Sequence, residues 1–155
     1  MPREGAAVLI RSLLGVVLSL GLGVGHWQDA LARGFDLGGL RWERRPLLVF
    51  APSADAPLAV TLGAALGGAD AGLFDRDMIV IEVYGDDLAR ADGTPLPSGT
   101  AANLRQRFAV AATEALVVLL GKDGGAKLRT ASPDLDAIFS LIDTMPMRRR
   151  EINNR

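Results

Sequence analysis

The chain contains no cysteine, and its single histidine, His26, lies near the N-terminus. Beyond Ala32 neither residue type occurs. Thiol redox chemistry, Ser-His and Cys-His nucleophilic catalysis, and zinc sites built on His or Cys all need side chains that this stretch lacks. Disulfides are excluded as well, so the fold must be held by burial. Lysine is scarce: of 17 basic residues only Lys122 and Lys127 are lysines. The formal charge of −1 gives no strong field toward nucleic acid or an anionic surface, and no nucleic-acid partner is expected. No cofactor is expected either.

What is present begins with the three parts of a secretory signal. Arg3 and Arg11 form a basic region, and an apolar stretch from Leu13 to Val24 follows. A polar segment, His26 to Asp29, then leads to Ala30-Leu31-Ala32, which fits the small-x-small cleavage rule. The apolar run is shorter than the roughly 20 residues of a membrane-spanning helix. Residues 1–32 are therefore expected to be a signal peptide cut after Ala32, with a periplasmic or secreted product and no membrane span after cleavage. Residues 33–155 have the size of one domain with its own core.

Along that domain, Pro46 and Pro52 bracket Leu47-Leu48-Val49-Phe50, the mark of a buried central strand. Ser53 or Asp55 is placed to cap a helix whose first turn holds Pro57. Leu58, Leu62, Ala65, Leu66, Ala69 and Leu73 give that helix one apolar face, weakened near its end by Gly67-Gly68. Met78 to Tyr84 reads as a second strand, parallel to the first across the helix. Gly85 to Gly99 reads as a loop, and a short helix follows Thr100. Leu116–Leu120 and Ala126–Thr130 flank an Asp-Gly turn and predict a hairpin. Ser132-Pro133-Asp134 reads as cap, first-turn proline and first-turn acid of a last helix carrying Leu135, Ile138, Phe139 and Ile142. Pro146 ends or kinks it, leaving Met147 to Arg155 as a basic polar tail.

The order β-α-β, α, β-β, α predicts an α/β thioredoxin-like domain: a three-layer α/β/α sandwich around a mixed sheet, with a C-terminal hairpin and a terminal helix. The strings RPLLVFAPS, RDMIVIEVYGD, LRQRF, VVLLGKDGGAKLR and IDTMPMRRREI resemble a bacterial family, the domain of unknown function 4174. That family is similar to the repeated module of sushi-repeat-containing extracellular-matrix proteins, the DUDES group. The resemblance spans Leu40 to Ile152 and implies a peroxiredoxin-related, thioredoxin-like fold, secreted or periplasmic, without an assigned activity. In such a fold the reactive cysteine would follow the first strand, where Ser53-Ala54-Asp55 stands here. Serine cannot exchange disulfides. The position near Leu116, where such enzymes carry a cis-proline, holds none. Thiol oxidoreductase and peroxidase activities are thus not expected.

Five residues are candidates for binding. Ser53 and Asp55 sit at a helix N-terminus, where amides can hold an anion or where the two side chains simply cap. Arg41, Arg44 and Arg45 flank Trp42, either as a guanidinium and aromatic grip on an anionic partner or as a solvated edge with Trp42 covering the core. Arg148 to Arg150 read either as a contact for acidic lipid heads or a partner or, as charge runs after a helix usually are, as a run complementing a helix C-terminus. Glu82, Asp86, Asp87 and Asp92 lack the spacing of a calcium loop, and Asp86 and Asp87, adjacent in sequence, do not share a strand face. Lys122 and Asp123 read as turn residues. The expectation is a redox-inactive module binding an envelope or extracellular protein. The alternatives are a small-ligand or anion-binding domain, or a non-thiol enzyme, using the loop after the first strand.

Overall fold

A computed structural model describes residues 35–154, so the signal-peptide assignment lies outside the described residues. Six strands form one open mixed sheet: β1 (Arg45–Ala51), β2 (Met78–Tyr84), β3 (Leu88–Ala91), β4 (Thr94–Pro95), β5 (Leu116–Leu120) and β6 (Ala126–Thr130), in spatial order β4-β3-β2-β1-β5-β6. Only β1 and β2 are parallel, with Leu48 beside Ile81; β5 runs antiparallel on the other side of β1. Every residue of β1 is buried, because it is the central strand and both faces of the sheet are covered.

The two faces follow from the period of two. Leu48 and Phe50 join Ile81, Val83, Val118 and Leu120 beneath α3 (Thr100–Phe108) and a 3₁₀ turn, Leu37–Leu40. Leu47 and Val49 join Val80, Val117 and Leu119 beneath α1 (Pro57–Leu66), α2 (Asp70–Asp75) and α4 (Leu135–Thr144). The expected α/β class, mixed sheet, C-terminal hairpin and helices on both faces are all present.

Four expectations need correction. The single helix after β1 is two, α1 and α2, broken at Gly67-Gly68, where two residues without a Cβ lose the most conformational freedom in a helix. The segment Gly85 to Gly99 is not all loop: β3 and β4 form a hairpin extending the β2 edge. Its turn residues Asp92 and Gly93 both have positive φ (45° and 77°), as a tight two-residue hairpin requires. Asp134, not Ser132, caps α4, its Oδ1 accepting from the Asp136 and Ala137 amides at 2.9 and 3.2 Å. The tail is a helix, α5 (Pro146–Asn153), with Pro146 at its first turn.

Candidate functional site

Chemistry at the C-terminal end of β1 would have to come from Ser53 and Asp55, and both are exposed. Neither caps α1: Ala56 holds the cap position and no side chain bonds there. The Ser53 hydroxyl, helped by backbone hydrogen bonding, instead holds the Asp55 carboxyl below the ordinary carboxylate range. The cleft beside them, about 540 Å³, is lined by Pro52, Pro57, Leu58, Ala115 and Pro133 among others, with no ionisable side chain.

Beneath this corner lies Arg105 of α3, only 3% exposed. Its Nε donates to the Gly85 carbonyl (2.6 Å) and Nη2 to the Ala51 carbonyl (2.7 Å). Nη1 donates to the Ala111 carbonyl. Burial pulls this guanidinium below its ordinary pKa, against the charges of Asp86 and Glu114. The sequence reading missed it. The signal was its place four residues after Ala101, on the buried face of α3.

The opposite end of the sheet collects charge. Arg45 points away from its neighbours: it is 1% exposed, with Nη1 donating to the Arg76 carbonyl (2.7 Å) and Nη2 to the Glu151 carboxylate (2.9 and 3.0 Å). This corrects its grouping with Arg41 and Arg44. Lys122, expected as a turn residue, is also buried and bridges Glu151 and Asp77, both at 2.8 Å. Arg76 pairs with Asp143 (2.6 Å) and lies 4.5 Å over the Phe139 ring. Arg148 is buried too and binds Asp143 (3.1 Å) and Asp75, whereas Arg149 and Arg150 are exposed. The arginine run thus does not merely complement a helix end. Through Arg148 and Glu151 it ties α5 to β1, α2, α4 and the hairpin turn.

This network has a definite pH signature. Burial opposes ionisation of Glu151, but Arg45 and Lys122 outweigh it and hold the carboxyl below the usual range. Burial likewise opposes ionisation of Asp143, and Arg76 and Arg148 outweigh it. Because both folded-state values are depressed, their stabilisation is complete above the unfolded carboxylate values, about pH 4. It is lost as pH falls through the lower folded values. Thermal unfolding midpoints are therefore expected to drop as pH falls from about 5 to 3, and less steeply in Glu151→Gln. Parallel slopes for the two proteins would refute the assignment.

On the other face of the same end, Arg41 and Arg44 meet Arg107 of α3 around a groove of about 340 Å³. Its floor is Leu37, Leu40, Pro46 and Leu120, and its rim is the Gly121–Gly125 turn. None of the three arginines forms a side-chain hydrogen bond or ion pair among the described residues. The one acid lining the groove, Asp123, is already engaged by Lys127 (2.7 Å) and the Gly125 amide (3.0 Å), which lower its pKa. Arg41 is held in place: its stem lies against Gly124, where an added Cβ would meet it at 3.4 Å. Its guanidinium is 5.6 Å from the Trp42 ring centroid. Trp42 does not cover the core. It is 61% exposed, with φ 71° fixed by a 2.6 Å hydrogen bond from its amide to the Lys122 carbonyl. The glycine turn was legible as a hairpin but not as part of a site, and Arg107 was not singled out from the sequence.

The acids in and after β2 do not converge. Glu82 accepts from the Tyr84 hydroxyl (2.8 Å), Asp92 accepts from the Val80 amide (2.8 Å), and Asp86 and Asp87 are exposed. No group of three or more metal-ligating side chains stands together among the described residues. No helix among them is long and apolar enough to cross a membrane.

Comparison with known proteins gives one family. The model of the domain of unknown function DUF4174 matches residues 36–151. No solved structure matches.

Proposed function

The chain belongs to the DUF4174 family, and on that premise we propose that it acts as an exported, redox-inactive, thioredoxin-like binding module of the cell envelope rather than as a catalyst. The strand order β2-β1-β5-β6, with β1 and β2 parallel and helices on both faces, supports the thioredoxin-like reading. Export rests on the signal in residues 1–32, which makes the location periplasmic or secreted.

One observation carries the binding reading: three arginines without acidic partners among the described residues share a groove, while the loop after β1 faces an uncharged cleft. Unpaired arginines beside an exposed tryptophan are the residue types that dominate binding energy at interfaces. An anion at the start of α1 is disfavoured, since the Asp55 carboxylate is held ionised there. A nucleophilic role for Ser53 lacks a base, because a carboxylate of lowered pKa takes protons poorly.

The test is affinity capture from envelope extract with three baits: the wild-type chain, Ser53→Ala/Asp55→Ala, and Arg41→Gln/Arg44→Gln/Arg107→Gln. A partner retained by the first two baits and lost by the third is expected. Loss with the Ser53/Asp55 variant would return function to the loop after β1. Equal capture by all three would remove the groove from the binding face.

A further inference from the structure

The groove's chemistry narrows its ligand. Resting on the reading of this groove as the binding face, we propose that Arg41, Arg44 and Arg107 form a phosphate site that takes the phosphomonoester group of a small organic molecule or of a lipid headgroup.

The first argument is charge. Three arginines line one concave site, and Asp123, the one acidic residue lining it among the described residues, is matched by Lys127. Like charges brought together are unfavourable until an anion joins them. A single carboxylate would leave most of that charge unmatched. A phosphomonoester carries about −1.5 to −2 at pH 7 and offers three acceptor oxygens to forked guanidinium donors. Elsewhere the inward-pointing arginines are paired within the protein: Arg45 and Arg148 by carboxylates, Arg105 by carbonyls, and Arg76 by Asp143, although the buried Arg76 Nε has no partner among the described residues. Among the described residues Arg41, Arg44 and Arg107 have no acidic partner; Arg41 and Arg107 make only ring contacts, with Trp42 (5.6 Å) and Phe108 (5.8 Å), which use no N–H donor.

The second argument is form. Leu37, Leu40, Pro46 and Leu120 give the groove an apolar floor for the carbon body of an ester, which inorganic phosphate lacks. A volume of about 340 Å³ suits a small ligand. The third is preorganisation. The Arg41 stem lies against Gly124 and its guanidinium lies over the Trp42 ring, so less freedom is lost when it binds. Trp42 itself holds a left-handed backbone that bulky residues rarely adopt, and such strain concentrates at ligand sites.

Backbone-amide and arginine side-chain NMR of the full chain tests the site, with inorganic phosphate and glycerol 3-phosphate as probes. Acetate and chloride at matched ionic strength are the controls. Saturable shifts at Gly121, Gly124 and Gly125 are expected with both phosphates, with glycerol 3-phosphate the tighter. Arg41→Gln/Arg44→Gln should weaken binding about tenfold or more. Its unfolding midpoint without ligand should not fall, since both side chains are exposed and their removal relieves like-charge repulsion. Co-sedimentation with phosphatidylcholine vesicles, with and without phosphatidic acid, assigns the source. Retention that needs phosphatidic acid and both arginines names a lipid headgroup, and soluble-ester binding alone names a free ligand. No saturable shift with either phosphate, equal shifts with acetate, or undiminished binding by the variant would overturn the proposal. If the phosphates fail while partner capture still needs the arginines, the ligand class falls and the binding module stands. If phosphate binds while capture ignores the groove, the site stands and the binding-module reading fails.

Discussion

Arg105→Ala is expected to destabilise the domain by about 3 kcal/mol, through loss of charge-assisted hydrogen bonds at a buried site. The guanidinium joins three chain segments that meet at the C-terminal end of the parallel pair: Ala51 at the end of β1, Gly85 after β2, and Ala111 after α3. The Ala51 carbonyl keeps a second donor, the Gly85 amide at 3.0 Å. The Ala111 carbonyl likewise keeps the Glu114 amide at 3.0 Å, so it is the Gly85 carbonyl that loses its side-chain partner, and an unsatisfied buried carbonyl costs about 1–3 kcal/mol. Contact with the Phe50 ring, 5.6 Å away, is lost as well. Arg105→Lys should recover less than half, since one ammonium cannot span donors set in a rigid fork. Urea denaturation measures both variants. A loss below about 1 kcal/mol for the alanine variant would mean that water replaces the guanidinium and that the corner needs no anchor.

That anchor was hard to read because sequence spacing reports faces, not partners. The apolar runs of β1, β2 and β5 are buried in one sheet, as their composition required. The β3–β4 hairpin was hidden by the acids and prolines around it, although Asp92-Gly93 is a strong turn signal. Arg45 looked like one of three surface arginines. Strand alternation alone puts it on the face of Leu47 and Val49, which is inward. Arg148 and Glu151, three apart, share one side of α5, yet a run of three arginines gives no hint of a buried member. The partners Asp75, Asp77, Lys122 and Asp143 become visible only once β1, α2, α4 and the hairpin turn are brought together. Of the groove, Arg41 and Arg44 were legible from their clustering, and Arg107 was not, because only packing of α3 on the sheet brings it near.

Arg45→Ala should have the largest effect, a loss of about 3–5 kcal/mol, the usual result of breaking a buried ion pair from one side. The deletion empties a fully enclosed position at the start of the central strand. It removes the donor to the Arg76 carbonyl and leaves Glu151 with Lys122 alone. The double change Arg45→Met/Glu151→Met distinguishes a charge effect from a packing effect. Removing both charges while keeping volume is often neutral, so this variant should be more stable than Arg45→Ala even though it carries two substitutions. Lys122 would still have Asp77 at 2.8 Å. Chemical denaturation decides: a double variant no better than the alanine variant would mean that the ion pair itself, not just the burial of its members, holds α5 to the sheet. The result bears on the groove, because the Lys122 carbonyl fixes Trp42 while the Lys122 ammonium binds Glu151. Loosening α5 therefore acts on the residue whose backbone fixes the aromatic ring beside Arg41, and Trp42 fluorescence in Arg45→Ala should change before global unfolding begins.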